Sequence, residues 1–112
     1  MADLNHEARV EYTQEKTRVF NAFLKIIPQL PDTKILSASM TKGRIDVITH
    51  PSFGSWGEKI TINVTEAKPS ITRVELKSFP RNGHESMPSN ADRGSRHNIE
   101  NILDETSKFL KI

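Results

Sequence analysis

The chain has 112 residues, of which 35% are hydrophobic and 27% charged, a composition typical of one globular domain and not of a disordered segment. Its 16 Lys and Arg and 14 Asp and Glu are interleaved along the sequence, so the formal charge of +2 indicates a mixed, solvated surface. The absence of cysteine excludes disulfides, thiolate nucleophiles and thiolate metal sites. We find neither an apolar run of membrane-spanning length nor the basic and apolar parts of a signal peptide, and therefore expect a cytoplasmic protein with no membrane partner.

The first segment with a periodic pattern is short. Residues 1–6 show no periodicity, and we expect them to form a loose end. Ala8, Val10 and Tyr12 then alternate with polar residues, as in a half-buried strand. A helix that begins earlier could also absorb residues 8–13, because no helix breaker intervenes, but the branched and aromatic side chains favour the strand.

The next segment has the spacing of an amphipathic helix, which we predict over about residues 14–27. We expect Thr13 to cap its first turn and Pro28 and Pro31 to end it. Its apolar face consists of Val19, Phe20, Phe23, Leu24, Ile26, Ile27 and Leu30.

Four predicted strands follow, separated by turns. The segment 41–43 favours a tight hairpin in which Gly43 takes a positive φ. The stretch from Thr41 to Arg44 also has residues that suit phosphate, but it lacks the glycine spacing of a phosphate-binding loop and precedes a strand, so we interpret it as a hairpin turn. The strands are Lys34 to Met40, Arg44 to His50, Glu58 to Glu66 and Ile71 to Phe79.

The last third of the chain predicts a long polar loop and then a helix. Residues 80–94 contain two prolines, two glycines and little to bury, which is typical of a surface loop. We expect the helix to span Ser95 to Ile112, with Ser95 as its N-cap and Asn90 or Asp92 as alternatives. Its apolar stripe consists of Ile99, Ile102, Leu103, Thr106, Phe109 and Leu110.

The predicted order is β-α-β-β-β-β-α, a single α+β domain over residues 1–112 with an antiparallel sheet of about five strands and two helices packed on one face. This order resembles the helix-grip arrangement shared by the START-like and plant-allergen superfamily, and the repeat unit of the TATA-binding protein, in which a curved sheet wraps a long C-terminal helix. It is also similar to small uncharacterised bacterial proteins, which often have an Asp-aromatic-Gly turn before the last helix. The corresponding stretch here, Asp92-Arg93-Gly94, lacks the aromatic. The START-like resemblance implies an apolar ligand cavity.

Two turns contain the residues of our preferred binding site. The turn at 51–57 contains two large aromatic residues, which either fold back onto the core or contact a partner. If this turn and the long loop leave the same end of the sheet, they rim one opening between the sheet and the last helix. The residues concerned are Phe53, Trp56, His84 and Met87, and we expect them to contact a small apolar ligand or a protein partner.

The outer face of the sheet offers an alternative site for nucleic acid. Arg44, Lys59, Arg73 and Lys77 could bind an RNA backbone electrostatically. Acidic residues among them oppose this, and outward aromatic residues for base stacking are nearly absent, so we disfavour nucleic acid. An open sheet also has edges, through which a homodimer could form.

No motif in the sequence names a reaction. The four histidines lack zinc-site spacing, and no serine lies in a Gly-x-Ser-x-Gly elbow. A proton-transfer pair formed among His84, Glu85 and His97 would need a held geometry that the sequence does not supply. We therefore predict no metal, no cofactor and no catalytic residues, and we interpret the protein as a non-catalytic binding or interaction module. An enzyme with a polar pocket is the third class, after a nucleic-acid binder.

Overall fold

The computed structural model describes residues 6–31, 33–49, 58–80 and 89–111, with only the backbone described at His6, Pro80 and residues 89–98. Its strands form one antiparallel sheet in the order β1-β5-β4-β3-β2, a meander with β1 added beside β5. Two helices accompany the sheet, which confirms the predicted α+β fold. The elements are β1 (His6–Tyr12), α1 (Lys16–Ile26), a 3-10 turn (Ile27–Gln29), β2 (Thr33–Ser39), β3 (Arg44–Thr49), β4 (Glu58–Lys68), β5 (Ile71–Pro80) and α2 (Ser89–Leu110).

The N-terminal segment forms the strand β1. This outcome agrees with the strand interpretation of residues 8–13 and not with the helix alternative. Strand β1 pairs with β5, so that Ala8 lies opposite Leu76 and Val10 opposite Val74. The prediction of a loose end over residues 1–6 is wrong at His6, which pairs with Ser78 in this ladder. Residues 1–5 lie outside the described residues.

Helix α1 begins two residues later than predicted, and the predicted cap at Thr13 is wrong. The N-cap is Glu15, whose side chain makes no capping hydrogen bond. The intervening Gln14 instead bonds to other elements: its carbonyl accepts a hydrogen bond from Thr72 and its amide donates to the carbonyl of Leu110. These hydrogen bonds to distant elements hold the chain between β1 and α1 in place, and the helix starts without a side-chain cap.

Helix α2 begins at Ser89, so the predicted loop over residues 80–94 is wrong over residues 89–94, and Ser95 is not the N-cap. The loop prediction is also wrong at Pro80, the last residue of β5, while residues 81–88 lie outside the described residues. Gly94 lies inside the helix, where a glycine costs only about 1 kcal/mol relative to alanine. A glycine is typical of loops but does not end a helix, so Gly94 is a poor marker of the start of α2. The predicted apolar stripe is confirmed, since Ile99, Ile102 and Leu110 are buried in the core.

Both helices pack on the inner face of the sheet, which the alternation of the strands makes apolar. The pairs Ile62 with Leu76 and Val64 with Val74 lie side by side on this face. The side chains between them point to the opposite, outer face. The core consists of Val19, Phe20, Ala22, Phe23, Ile27, Ile45, Val47, Ile60, Ile62, Val64, Val74, Leu76, Ile99, Ile102 and Leu110.

Candidate functional site

Two connections of the chain leave the same end of the sheet. Glu58, the first residue of β4, pairs with Pro80, the last residue of β5, and β3 ends beside them at Thr49. The segments 50–57 and 81–88 therefore depart from neighbouring strand ends, which is the condition for the predicted opening. The predicted site residues Phe53, Trp56, His84 and Met87 lie outside the described residues, so their role stays a prediction.

At this end of the inner face, three buried polar residues, Thr49, Glu58 and Ser78, form what we call the mouth cluster. Their exposed fractions are 4%, 2% and 0%. The Ser78 hydroxyl donates to Oε2 of Glu58 over 2.7 Å, and the Glu58 backbone N–H donates to Oγ1 of Thr49 over 3.0 Å. The cluster follows directly on the apolar rows of the inner face, since Ser78 lies opposite Ile60.

The mouth cluster was missed by our sequence analysis, although the sequence contains its signal. Glu58 precedes Ile60 by two residues and so shares the face of the apolar residues on its strand. Ser78 likewise follows Leu76 on the buried face of β5. The convergence of the two could not be inferred without the register between β4 and β5. Chemically, a carboxylate on an apolar wall orients molecules that donate hydrogen bonds.

The opposite end of the inner face is closed by hydrogen bonds that tie α2 to β1. The Tyr12 hydroxyl lies 2.9 Å from the Ser107 hydroxyl, and the Gln14 amide reaches the Leu110 carbonyl over 2.8 Å. Burial raises the pKa of Tyr12, the hydrogen bond with Ser107 partly opposes this, and the charge of Asp104 adds to the rise. These bonds fasten the C-terminal end of α2 at the end of the sheet opposite the mouth cluster.

Among the residues that the structure describes, two buried side-chain polar atoms have no hydrogen-bond partner. They are Oγ1 of Thr106, which belongs to a fully buried residue, and Oε1 of Gln14. An interior polar atom without a partner is costly. Thr106 lies on the core-facing stripe of α2, so the interior beneath this helix is not uniformly apolar.

On the outer face, Asp46 is the centre of a hydrogen-bonded cluster. Its Oδ1 accepts from Thr61 over 3.0 Å and from Nε of Arg44 over 3.2 Å, and its Oδ2 accepts from Ser37 over 3.1 Å. Burial alone would raise the pKa of Asp46, but these hydrogen bonds and the charge of Arg44 together lower it below its ordinary value. Asp46 is therefore a carboxylate at neutral pH, held in one position by three strands.

The four basic residues proposed for nucleic acid all lie on this outer face, as the alternation along their strands predicted. Two of them are paired with acids: Arg73 lies 3.1 Å from Glu11, and Arg44 lies 3.2 Å from Asp46. The other two, Lys59 and Lys77, lie on β4 and β5. The face thus alternates in charge and lacks a continuous basic stripe within the described residues.

In the part of the chain that the structure describes, no three acidic or histidine side chains come together in a way that could hold a metal ion. The side chains of all four histidines, His6, His50, His84 and His97, lie outside that part, so the expectation of no metal site stays a prediction. None of the helices in the described residues is long and apolar enough to cross a membrane.

Comparison with known proteins agrees with the topology. No family model matches the chain, and no curated protein matches it in sequence. Among solved structures, the crystal structure of Ara h 8.0201, a helix-grip protein of the Bet v 1-like kind, superposes with a TM-score of 0.67 and 11% identity over 94% of this chain and 95% of that one. At this identity the likeness shows the fold alone: the chain has a helix-grip topology.

Proposed function

We propose that this protein is a non-catalytic binding module that holds a small, largely apolar ligand at the mouth between the sheet and α2. The resemblance to START-like proteins supports the proposal, because that resemblance implies a cavity between the sheet and the C-terminal helix. The observation that carries it is the mouth cluster, which puts a carboxylate and two hydroxyl groups at the end of an otherwise apolar wall.

The mouth cluster puts polar side chains beside the apolar core. A buried carboxylate needs hydrogen bonds to its oxygens, and the Ser78 hydroxyl supplies one of them to Glu58. Well-packed apolar residues in such a place are often equally or more stabilising, so stability alone does not call for this cluster. As the polar end of a binding site, it would orient a ligand at the mouth, beyond the core residues that the helices already cover.

Native mass spectrometry of the protein purified from its own host tests this proposal. We expect a small-molecule adduct that is lost on denaturation. A second polypeptide in place of that adduct would support the protein-partner form of the binding module. The proposal would be overturned by a bare protein mass together with no response of the single tryptophan, Trp56, to the apolar probe 1-anilinonaphthalene-8-sulfonate.

A matched pair of variants locates the ligand. Glu58→Gln keeps the shape of the side chain but removes the charge from the mouth cluster, and we expect it to weaken binding about tenfold, the loss of one charge-assisted hydrogen bond. Glu75→Gln removes the same charge from the outer face, where Glu75 pairs with Arg9, and should leave binding unchanged. Equal effects of the two variants would place the ligand elsewhere.

A further inference from the structure

The β2–β3 hairpin forms a groove on the outer face, which we call the hairpin groove. It has a volume of about 310 Å³. It lies on the side of the sheet opposite the mouth cluster, so an inference about it does not depend on the proposed function. Its lining residues are Ser37, Ala38, Ser39, Lys42, Arg44 and Asp46.

Within the hairpin groove, Asp46 positions Arg44. The Arg44 guanidinium donates its Nε–H to Oδ1 of Asp46, and the Arg44 side chain is about half exposed. The N–H groups on its two terminal nitrogens therefore remain for a ligand. The oxygens of Asp46 accept from three donors, so this carboxylate fixes the plane of the guanidinium. It also offsets part of the positive charge of Arg44, so that Lys42 supplies the net positive charge of the groove.

Two further donors lie beside Arg44. Ser39 is its direct partner across the β2–β3 ladder. The Ser39 hydroxyl oxygen accepts the Lys42 backbone N–H over 3.3 Å, and its hydrogen has no acceptor among the described residues. The exposed Lys42 ammonium lines the same groove. The Ser37 hydroxyl, in contrast, already donates its hydrogen bond to Asp46.

The hairpin that carries these donors is clamped onto β4. The Val64 N–H donates to the Gly43 carbonyl over 2.7 Å. Gly43 has φ +66°, and a Cβ atom there would lie 2.2 Å from the Val64 carbonyl oxygen. The turn between Lys42 and Arg44 is thus fixed by a close backbone contact, which lowers the entropy cost of collecting both cations around one ligand.

We propose that the hairpin groove binds a phosphate monoester group, with Lys42 and the terminal N–H groups of Arg44 donating to its oxygens and Ser39 donating a further hydrogen bond. Two cationic donors and one hydroxyl that line the same groove suit a phosphate group, which has several oxygens to accept their hydrogens. The groove is larger than a phosphate and leaves room for the body of a small phosphorylated molecule. The site depends on side chains of a hairpin and needs no phosphate-binding loop.

Amide chemical shifts of the full chain test the site. The probes are inorganic phosphate, glycerol 3-phosphate, and vesicles containing phosphatidic acid, at constant ionic strength set with chloride. We expect saturable shifts confined to residues 39–46, and about tenfold weaker binding in Arg44→Ala. The control is Arg73→Ala, which removes an equally exposed, ion-paired arginine of the same face and should bind as the natural chain does.

The outcomes separate the proposal from its alternatives. Binding of glycerol 3-phosphate would identify a soluble phosphorylated ligand, and binding to the vesicles alone would identify a lipid headgroup; both results support the phosphate site. The proposal would be overturned if no probe gave saturable shifts, if Arg44→Ala bound as the natural chain does, or if Arg73→Ala lost binding to the same extent.

Discussion

At the scale of single residues, the two positive-φ positions of the described chain lie in the two hairpin turns. Gly43 has φ 66° between β2 and β3, and Ser70 has φ 65° between β4 and β5. The sequence predicted the first, because glycine is the residue that adopts this conformation without cost. The sequence could not predict the positive φ of Ser70, because serine occurs in several types of turn.

Gly43→Ala should lower the free energy of unfolding by about 2–3 kcal/mol. The new Cβ would be strained by the positive φ and would also meet the Val64 carbonyl oxygen at 2.2 Å, so the hairpin must shift away from β4. Chemical denaturation measures the loss. Ser70→Ala is the matched control, because that position has a similar φ and already contains a Cβ, and it should change stability by less than about 0.5 kcal/mol.

Asp46→Asn should lower the free energy of unfolding at pH 7 by about 1–2 kcal/mol, because the three hydrogen bonds to Asp46 are stronger when it is ionised. The folded-state pKa of Asp46 is depressed, so its contribution is present above the ordinary pKa of 3.8 and is lost as pH falls through the folded-state value. The difference between the two proteins should therefore be constant near neutral pH and shrink as pH falls below 3.8 towards the lower folded-state pKa. A difference that did not shrink over the acid range in which the protein stays folded would contradict this role.

At the scale of the elements, periodicity predicted both α-helices and all five strands of the described residues, but it did not give the helix starts. Helix α1 starts at Lys16 because Gln14 bonds to β5 and α2, and such long-range bonds leave no local signal. Helix α2 starts at Ser89, ahead of its internal Gly94. Strand limits were closer to the prediction, since they follow from alternation and from turn residues that are local in the sequence.

The stripe of α2 provides a graded prediction. Ile102 is 1% exposed, whereas Leu103 packs only partly against the core. Ile102→Ala should therefore cost about 3 kcal/mol, as expected for a cavity in a packed core, and Leu103→Ala should cost about 1 kcal/mol. Thermal unfolding of both variants measures the ranking, with the exposed Asp104→Ala as a control. Equal losses at the two positions would mean that α2 is rotated relative to the sheet.

At the scale of the whole molecule, the sheet separates two chemistries. Its inner face is apolar and ends in the mouth cluster, and its outer face is a network of alternating charges. The alternation of residues along the strands was enough to assign side chains such as Val74 and Arg73 to opposite faces. The mouth cluster and the hairpin groove each bring together side chains from two or three strands. They therefore depend on the register between those strands, which could not be read from the sequence.

The charge network of the outer face predicts weak binding to polyanions. Arg9 pairs with Glu75 over 2.8 Å and Arg73 with Glu11 over 3.1 Å, so acids neutralise cations that a phosphate backbone would need. We expect elution from heparin below about 0.15 M salt, where exposed charges are already well screened.

The double variant Glu11→Gln and Glu75→Gln frees both arginines and should be retained to higher salt. The control removes two negative charges away from this face, with Glu15→Gln and Glu100→Gln, and should elute close to the natural chain. If the natural chain stayed bound well above 0.15 M salt, or if the two double variants were retained equally, net charge and not the pairing on the outer face would decide the affinity. Such a result would support the nucleic-acid alternative, because it would show that the ion pairs on the outer face do not keep its lysines and arginines from binding a polyanion.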